Sequence, residues 1–423
     1  MTATPAPSDN SDASGMSLSD LSKTQVVYSA SKSEQKTTDA PGTTTIITSS
    51  EIKAGGFRTL DDLLNYVRGF YVTYDRDYSY LGLRGFGSLG GYNCRVLLEV
   101  DSHRINDNVY GQFYTGEDAM IDMEMLDHVE IIRGPASVLY GSSAVFGVIN
   151  LVTKRGKDVN GLVLSAQGGN LDTLGGGALY GRQDDSGFQW CVEGSGYYSG
   201  GYADLYFPEY NDPISGNVVN NGIAHNADGE AAQHGFLSLS KDEWSFEAAV
   251  MHRYKVVPTG VFGTLFNDNG THTDDLNMMG ELNFRSGDPE SGQWNGRLYA
   301  DVSDYWGRYV SATTGVPNND AGEGAWAGAD LHFTFIPLER NKITLGGEFV
   351  DNFQQLQQNY DDGVLPYYLD DNRQSTELAF YLQDEFKLFP NLLLTAGGRY
   401  DYFSTTKGQL LPRGALIWGP WPT

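Results

Sequence analysis

Residues 129–154, VEIIRGPASVLYGSSAVFGVINLVTK, decide how this chain is read. An apolar run with strand character (Val129, Ile131, Ile132) stops at Arg133-Gly134-Pro135, a turn that continues neither a strand nor a helix. Ala136 to Tyr140 has room for one or two helical turns. Gly141 and two serines break that segment, and Val148 to Val152 resumes a strand with β-branched and aliphatic side chains. An ordinary α/β packing unit with an incidental Arg-Gly-Pro has the same outline, so the neighbouring segments decide.

Upstream, Thr43 to Thr48 reads as a strand, and Ser50-Glu51 opens a short helix that ends at Ala54 before Gly55-Gly56. Thr59 caps LDDLLNYV, with Asp61 and Asp62 in the first turn and Leu60, Leu63, Leu64 and Val67 on one stripe. Tyr80 to Arg84 and Arg95 to Val100 are further strands, the second followed by a turn at Asp101-Ser102. Gly85 to Gly90 (GFGSLG) is formally GxGxxG, but a dinucleotide site needs a helix directly after it, and here another strand follows. A glycine-rich loop is the better reading.

After residue 156 the texture changes to long alternating segments separated by Gly/Asp/Asn-rich loops. Trp244, Phe246, Ala248 and Val250 point one way, and Ser245, Glu247, Ala249 and Met251 the other. Leu331, Phe333 and Phe335 alternate with His332 and Thr334. Ile343, Leu345 and Phe349 lie opposite Thr344 and Glu348, and Phe380, Leu382 and Phe386 opposite Tyr381, Gln383 and Glu385. Apolar-out, polar-in alternation over segments of about ten residues or more is the transmembrane β-barrel pattern, whereas soluble sandwiches use strands of about five or six.

Composition agrees. Gly 52, Tyr 26 and 13% aromatic residues in 423 favour glycine-punctuated strands. No apolar run approaches the ~18 residues of a membrane helix, so insertion in a membrane must use strands. A net charge of -26 argues against nucleic acid as a partner. Cys94 and Cys191 form no redox or ligand motif, the histidines show no metal-ligand spacing, and acidic pairs such as Asp361-Asp362 and Asp370-Asp371 read as solvated loops before they read as Ca²⁺ ligands. Nothing calls for a cofactor, and no nucleophile–base pair or paired-carboxylate arrangement suggests an enzyme.

The pattern IRGP at Ile132–Pro135, LYG at Leu139–Gly141 and GVIN at Gly147–Asn150 resembles the end of the plug domain of TonB-dependent outer-membrane receptors. Leu83-Arg84-Gly85-Phe86-Gly87 is similar to that family's RGFG loop. Asp101 matches its DG turn with Ser102 as a departure, and Arg68-Gly69 stands where its PG turn falls. Residues 381–403 and 411–418 look like mid-barrel strands of the same receptors. The resemblance implies a mixed α+β plug followed by an antiparallel transmembrane β-barrel. Residues 1–22 are expected to be a disordered leader, 23–38 a box segment and linker, 39–156 the plug, and 161–423 the barrel, truncated at about 12 of roughly 22 strands. No signal peptide is visible in the polar opening residues, although an exported protein requires one.

What the resemblance implies for sites follows in the same terms. Gln25, Val26, Val27, Tyr28, Ser29 and Ala30 resemble the box offered to the TonB-type energy-transducing partner, which a β-prone segment meets by strand addition. Arg84 and Arg133 match plug arginines that pair with inward-facing barrel glutamates, here Glu348 and Glu385 by parity. Tyr74, Arg76 and Tyr78 on one apical plug loop, and Tyr110, Phe113 and Tyr114 on another, are the expected ligand contacts. The function implied is energy-coupled import across a bacterial outer membrane of a scarce small-molecule chelate. A ferric siderophore comes first; cobalamin, haem or another chelate remain open. A soluble or surface-exposed carbohydrate-binding β module is the competing class.

Overall fold

The computed structural model describes residues 26–27, 35–36 and 42–419, apart from 88, 135, 215 and 289. The leader 1–22, most of the linker, and Gln25, Tyr28, Ser29 and Ala30 lie outside the described residues. Val26–Val27 is extended and pairs antiparallel with Gln35–Lys36.

The 129–154 stretch lies at the centre of a five-stranded sheet ordered Thr43–Thr48, Leu126–Arg133, Gly147–Thr153, Val96–Val100, His103–Arg104. Only Val96–Val100 and Gly147–Thr153 run parallel. Gly147 is required by close approach, because a Cβ there would sit 2.5 Å from the Ile132 carbonyl oxygen. The helix Ser49–Gly55 is opened by a capping box between Thr48 and Glu51, and Leu60–Tyr66 by the Thr59 side chain. Each is far below the length at which a helix is stable in water, so tertiary burial holds them: Leu60, Leu63 and Leu64 are at most 1% exposed. A hairpin of Phe70–Tyr74 and Ser79–Leu83 completes the domain, and Arg84 falls just past it at φ 55. At the turn after Val100, Asp101 (φ 47) and Ser102 (φ 68) are both left-handed. Side-chain bonds offset the cost: Ser102 N–H donates to Asn150 Oδ1 at 2.9 Å, and Thr153 donates to the Asp101 carboxylate.

Twelve antiparallel strands from Gly161–Gly169 to Lys407–Trp418 form a second sheet in which every strand pairs with its sequence neighbours. The sheet is open; its first and last strands are not hydrogen-bonded to each other. The alternation is as expected. Trp244, Phe246 and Val250 are exposed, while Glu247, Ala249 and Met251 are buried beneath them. Leu164, Leu298, Leu331, Phe380 and Leu416 continue an exposed apolar belt suited to lipid. Connections at one end are short, such as 242–243, 339–340 and 390–391. At the other end they run to 200–229 and 257–271, which marks that end as extracellular. The plug core continues onto the wall through Phe236, Met251 and Met279. Cys94 and Cys191 are both free.

Candidate functional site

The plug meets the wall through charge. Arg253, on Trp244–Val256, is inward by parity and 2% exposed. It lies 2.6 Å from Glu230, 3.5 Å from Asp275, and 3.7 and 3.8 Å from Asp77 and Asp118 of the plug; it also donates to the Asp77 carbonyl. Nearer the periplasm, Arg297 reaches Glu281 at 2.9 Å and donates to the Asp101 and Ser102 carbonyls. Arg155 bridges Glu247 and Asp101. His103 of the plug is enclosed between Asp301 at 2.8 Å and Glu281 at 3.4 Å. Arg399 joins Glu348 (2.7 Å) and Asp401 (2.5 Å) and donates to the Leu139 carbonyl of the signature segment. Gly141 is left-handed at φ 68, and a Cβ there would come 3.0 Å from that guanidinium. The LYG glycine thus serves both a backbone conformation and the seating of Arg399.

This corrects the expected pairing. Arg84 donates to the Arg133 carbonyl at 3.2 Å, and Arg133 donates to the Arg68 carbonyl at 2.6 Å and to Thr45 Oγ1 at 2.8 Å. Burial, with Arg84 and Arg68 alongside, pulls the Arg133 guanidinium below its ordinary value, and among the described residues no carboxylate acts on it. Glu348 is held by Arg399, and Glu385 accepts from Gln383 Nε2 at 3.2 Å. At these three arginines the polarity is reversed: Arg253, Arg297 and Arg399 of the wall meet plug carboxylates and carbonyls, while Arg155 and His103 keep the expected sense, with wall Glu247 and with wall Asp301 and Glu281. Arg253, Arg297 and Arg399 were missed by sequence reasoning, although each stands at an inward position of its strand. Inward parity was the available signal.

At the extracellular end a cavity of about 170 Å³ opens between the apical plug loops and the wall. Tyr78, Tyr110 and Tyr114, three of the six residues expected to meet ligand, line it together with Tyr80, Tyr92, Tyr305 and Tyr309. Tyr78 and Tyr114 both donate to Asp275, at 3.0 and 3.3 Å, and their rings lie 5.7 Å apart. Tyr110 stacks on Tyr92 at 5.2 Å. Tyr74 and Arg76 are not part of this lining; Arg76 lies 5.1 Å over the Tyr202 ring and 3.8 Å from Asp228. Phe113 is corrected. It is 1% exposed in the plug core and turned from the cavity that its neighbour Tyr114 faces.

A wall of strands, apolar outside and polar inside, with a separate α+β domain against its polar face, defines the class of plugged outer-membrane β-barrel receptors. The chain belongs to the TonB-dependent receptors: the family described as TonB dependent receptor-like, beta-barrel matches residues 166–423, and the TonB-dependent Receptor Plug Domain matches 36–148. It is 28% identical over 231 residues to the vitamin B12 transporter of Vibrio cholerae, covering 53% of this chain and 34% of that protein. It is 29% identical over 158 residues to the ferrichrome outer membrane transporter/phage receptor of Escherichia coli, covering 37% and 20%. Among solved structures it is similar to the pyoverdine outer membrane receptor of Pseudomonas aeruginosa, with a TM-score of 0.68 at 15% identity over 93% of this chain and 61% of that one. For the ferric citrate transporter in its unliganded form the TM-score is 0.66 at 14% identity, over 90% and 60%. The chain thus matches about a third or less of the length of these curated relatives and about three fifths of these solved ones. The family is one of transporters and receptors, and its relatives stand in the outer membrane.

Proposed function

We propose that this chain acts in energy-coupled import of a scarce chelate, of the ferric siderophore or cobalamin class. The single observation that carries the reading is the seating of the 129–154 signature. Gly141 lies under Arg399 of the wall, while the same plug presents Tyr78, Tyr110 and Tyr114 at the extracellular end. Ligand at the tyrosines and a pull from the periplasm would then act on one domain held by replaceable polar contacts. The box segment Gln25–Ala30 offers itself to a TonB-type partner as an added strand, and the extended pairing at Val26–Val27 suits that role.

The test is Val27→Pro in the complete gene, in a host lacking its own receptors, with radiolabelled ferric siderophores and cobalamin as cargos. Proline removes a donor that strand addition needs. Energised uptake is expected to be lost while surface binding of the same cargo persists. Uptake equal to wild type overturns the coupling role.

A further inference from the structure

The extracellular cavity has a charge character that import alone does not require. Seven tyrosines line it, its charged side chains are Asp75, Asp77 and Asp320, and no Lys, Arg or His belongs to the lining. Asp75 accepts from the Tyr80 hydroxyl at 3.0 Å, and Asp320 from Asn359 at 3.2 Å. Behind Asp77, Arg253 lies 5.3 Å over the Tyr78 ring and is faced by four carboxylates. The overlying loops extend the imbalance. Residues 200–229 carry Glu209 and Asp212, besides Asp228, which Lys255 and Arg76 hold at 2.8 and 3.8 Å, and Asp204, which His225 meets at 2.6 Å; residues 257–271 carry Asp268, and neither loop contains Lys or Arg. Burial together with Asp320 pushes up the Tyr110 phenol, and burial together with Asp75 pushes up that of Tyr80; both phenols sit in a negative field. On the rim Phe262 is 85% exposed at φ 55, a strained backbone for a bulky residue, and its ring meets Tyr309 edge-on at 5.7 Å.

Electron-rich ring faces backed by carboxylates attract cations and repel anions. The volume, about 170 Å³, is close to the roughly 150 Å³ that holds one benzene ring, so it receives a group of a ligand and not a whole chelate. We propose that this cavity takes a cationic group of the imported ligand, a protonated amine or alkylammonium beside a flat face, and selects against anionic chelates. The assignment rests on the import reading and narrows its substrate class.

The experiment uses the full chain in detergent and three probes of one size at fixed ionic strength: benzyltrimethylammonium, benzyl alcohol and benzoate, followed by saturation-transfer NMR. The cation is expected to bind about tenfold or more tighter than benzoate, with the alcohol between. Asp320→Asn, and separately Asp75→Asn, should shrink that ratio, with unchanged strand circular dichroism reporting the fold. Benzoate binding as tightly as the cation, a ratio indifferent to both substitutions, or no binding of any probe overturns the proposal. The two readings fail separately. An anion-preferring cavity in a chain whose uptake is lost on Val27→Pro sinks the charge assignment alone; a cation-preferring cavity with uptake indifferent to that substitution sinks the import reading.

Discussion

Inside the plug, the side chains cut off from solvent are mostly apolar, Leu63, Leu64, Met125, Val129 and Ile131 among them, with a few polar groups such as Glu130 and Asn150 enclosed beside them. On the wall that faces it, those enclosed to the same degree include Arg253, Lys255, Glu247, Asp275 and Glu281. Apolar character crosses to the wall around Leu179, Phe236, Met251 and Met279, and again where Tyr381 meets Ile132, Leu139 and Tyr140. Apolar burial contributes about 25 cal/mol per Å² and needs no particular partner. Buried ion pairs regain little more than their desolvation cost, yet breaking one is expensive. The plug is therefore cohesive in itself and seated by contacts of small net gain. Water entering the lumen can replace those contacts without disturbing the plug's own core.

The largest effect is expected where a charge cluster loses its centre. Arg253→Ala leaves Asp77, Asp118, Glu230 and Asp275 facing one another, at about 3–5 kcal/mol. Hydrogen exchange should rise in the apical loop 74–78 while the Ile131 and Ile149 amides keep their protection. Leu64→Ala, at about 2–5 kcal/mol, should give the opposite footprint, with the plug sheet loosened and the wall strands unchanged. If both variants lose protection over the same amides, plug and wall are one cooperative unit and the contrast fails. A smaller effect belongs to Arg133→Ala, which removes bonds to the Arg68 carbonyl and Thr45, at about 1 kcal/mol. Its footprint should stay near residues 43–48 and 66–69. Arg399→Ala should instead loosen residues 137–140, and the reverse distribution would restore the plug-arginine pairing.

What the sequence made legible was whatever depends on near neighbours. Thr48 and Thr59 as caps, the Leu60-Leu63-Leu64 stripe, the turn at Asp101 and the inward face of Ser245, Glu247 and Met251 all follow from spacings of two to four residues. Partner choice across the lumen is different. Arg253 and the Asp77 carbonyl are 176 positions apart, and Arg399 and Leu139 are 260 apart. No local spacing records such pairs. Parity gave the side on which Glu348 lies but not that Arg399, two strands away, would claim it. Phe113 and Tyr114 show the same boundary: adjacent aromatics on one loop, of which a core took one and a cavity the other.

The smallest expected effect is a pH dependence at the seat. His103 is fully enclosed. Burial lowers its pKa, but Asp301 and Glu281 outweigh burial and leave it raised above 6.5. A group whose folded pKa exceeds its unfolded value stabilises the folded state fully below the unfolded value, and that contribution is lost as pH rises through the folded one. The attachment of the His103 turn to the wall should therefore weaken as pH rises from 6.5 into the alkaline range. Asp77, pushed up to about 7 chiefly by burial, acts in the same direction, because the fold favours its protonated form and loses that preference as pH climbs from 4 to 7. The windows differ: stability falls with pH between about 4 and 7 through Asp77 and above 6.5 through His103. Exchange at the amides of residues 101–105, corrected for the intrinsic pH dependence of exchange, should speed up through the upper window in wild type. In His103→Gln, which keeps a donor but no titration, the corrected rate should be flat there. A corrected rate that rises equally in both proteins would remove His103 from the seat's pH response.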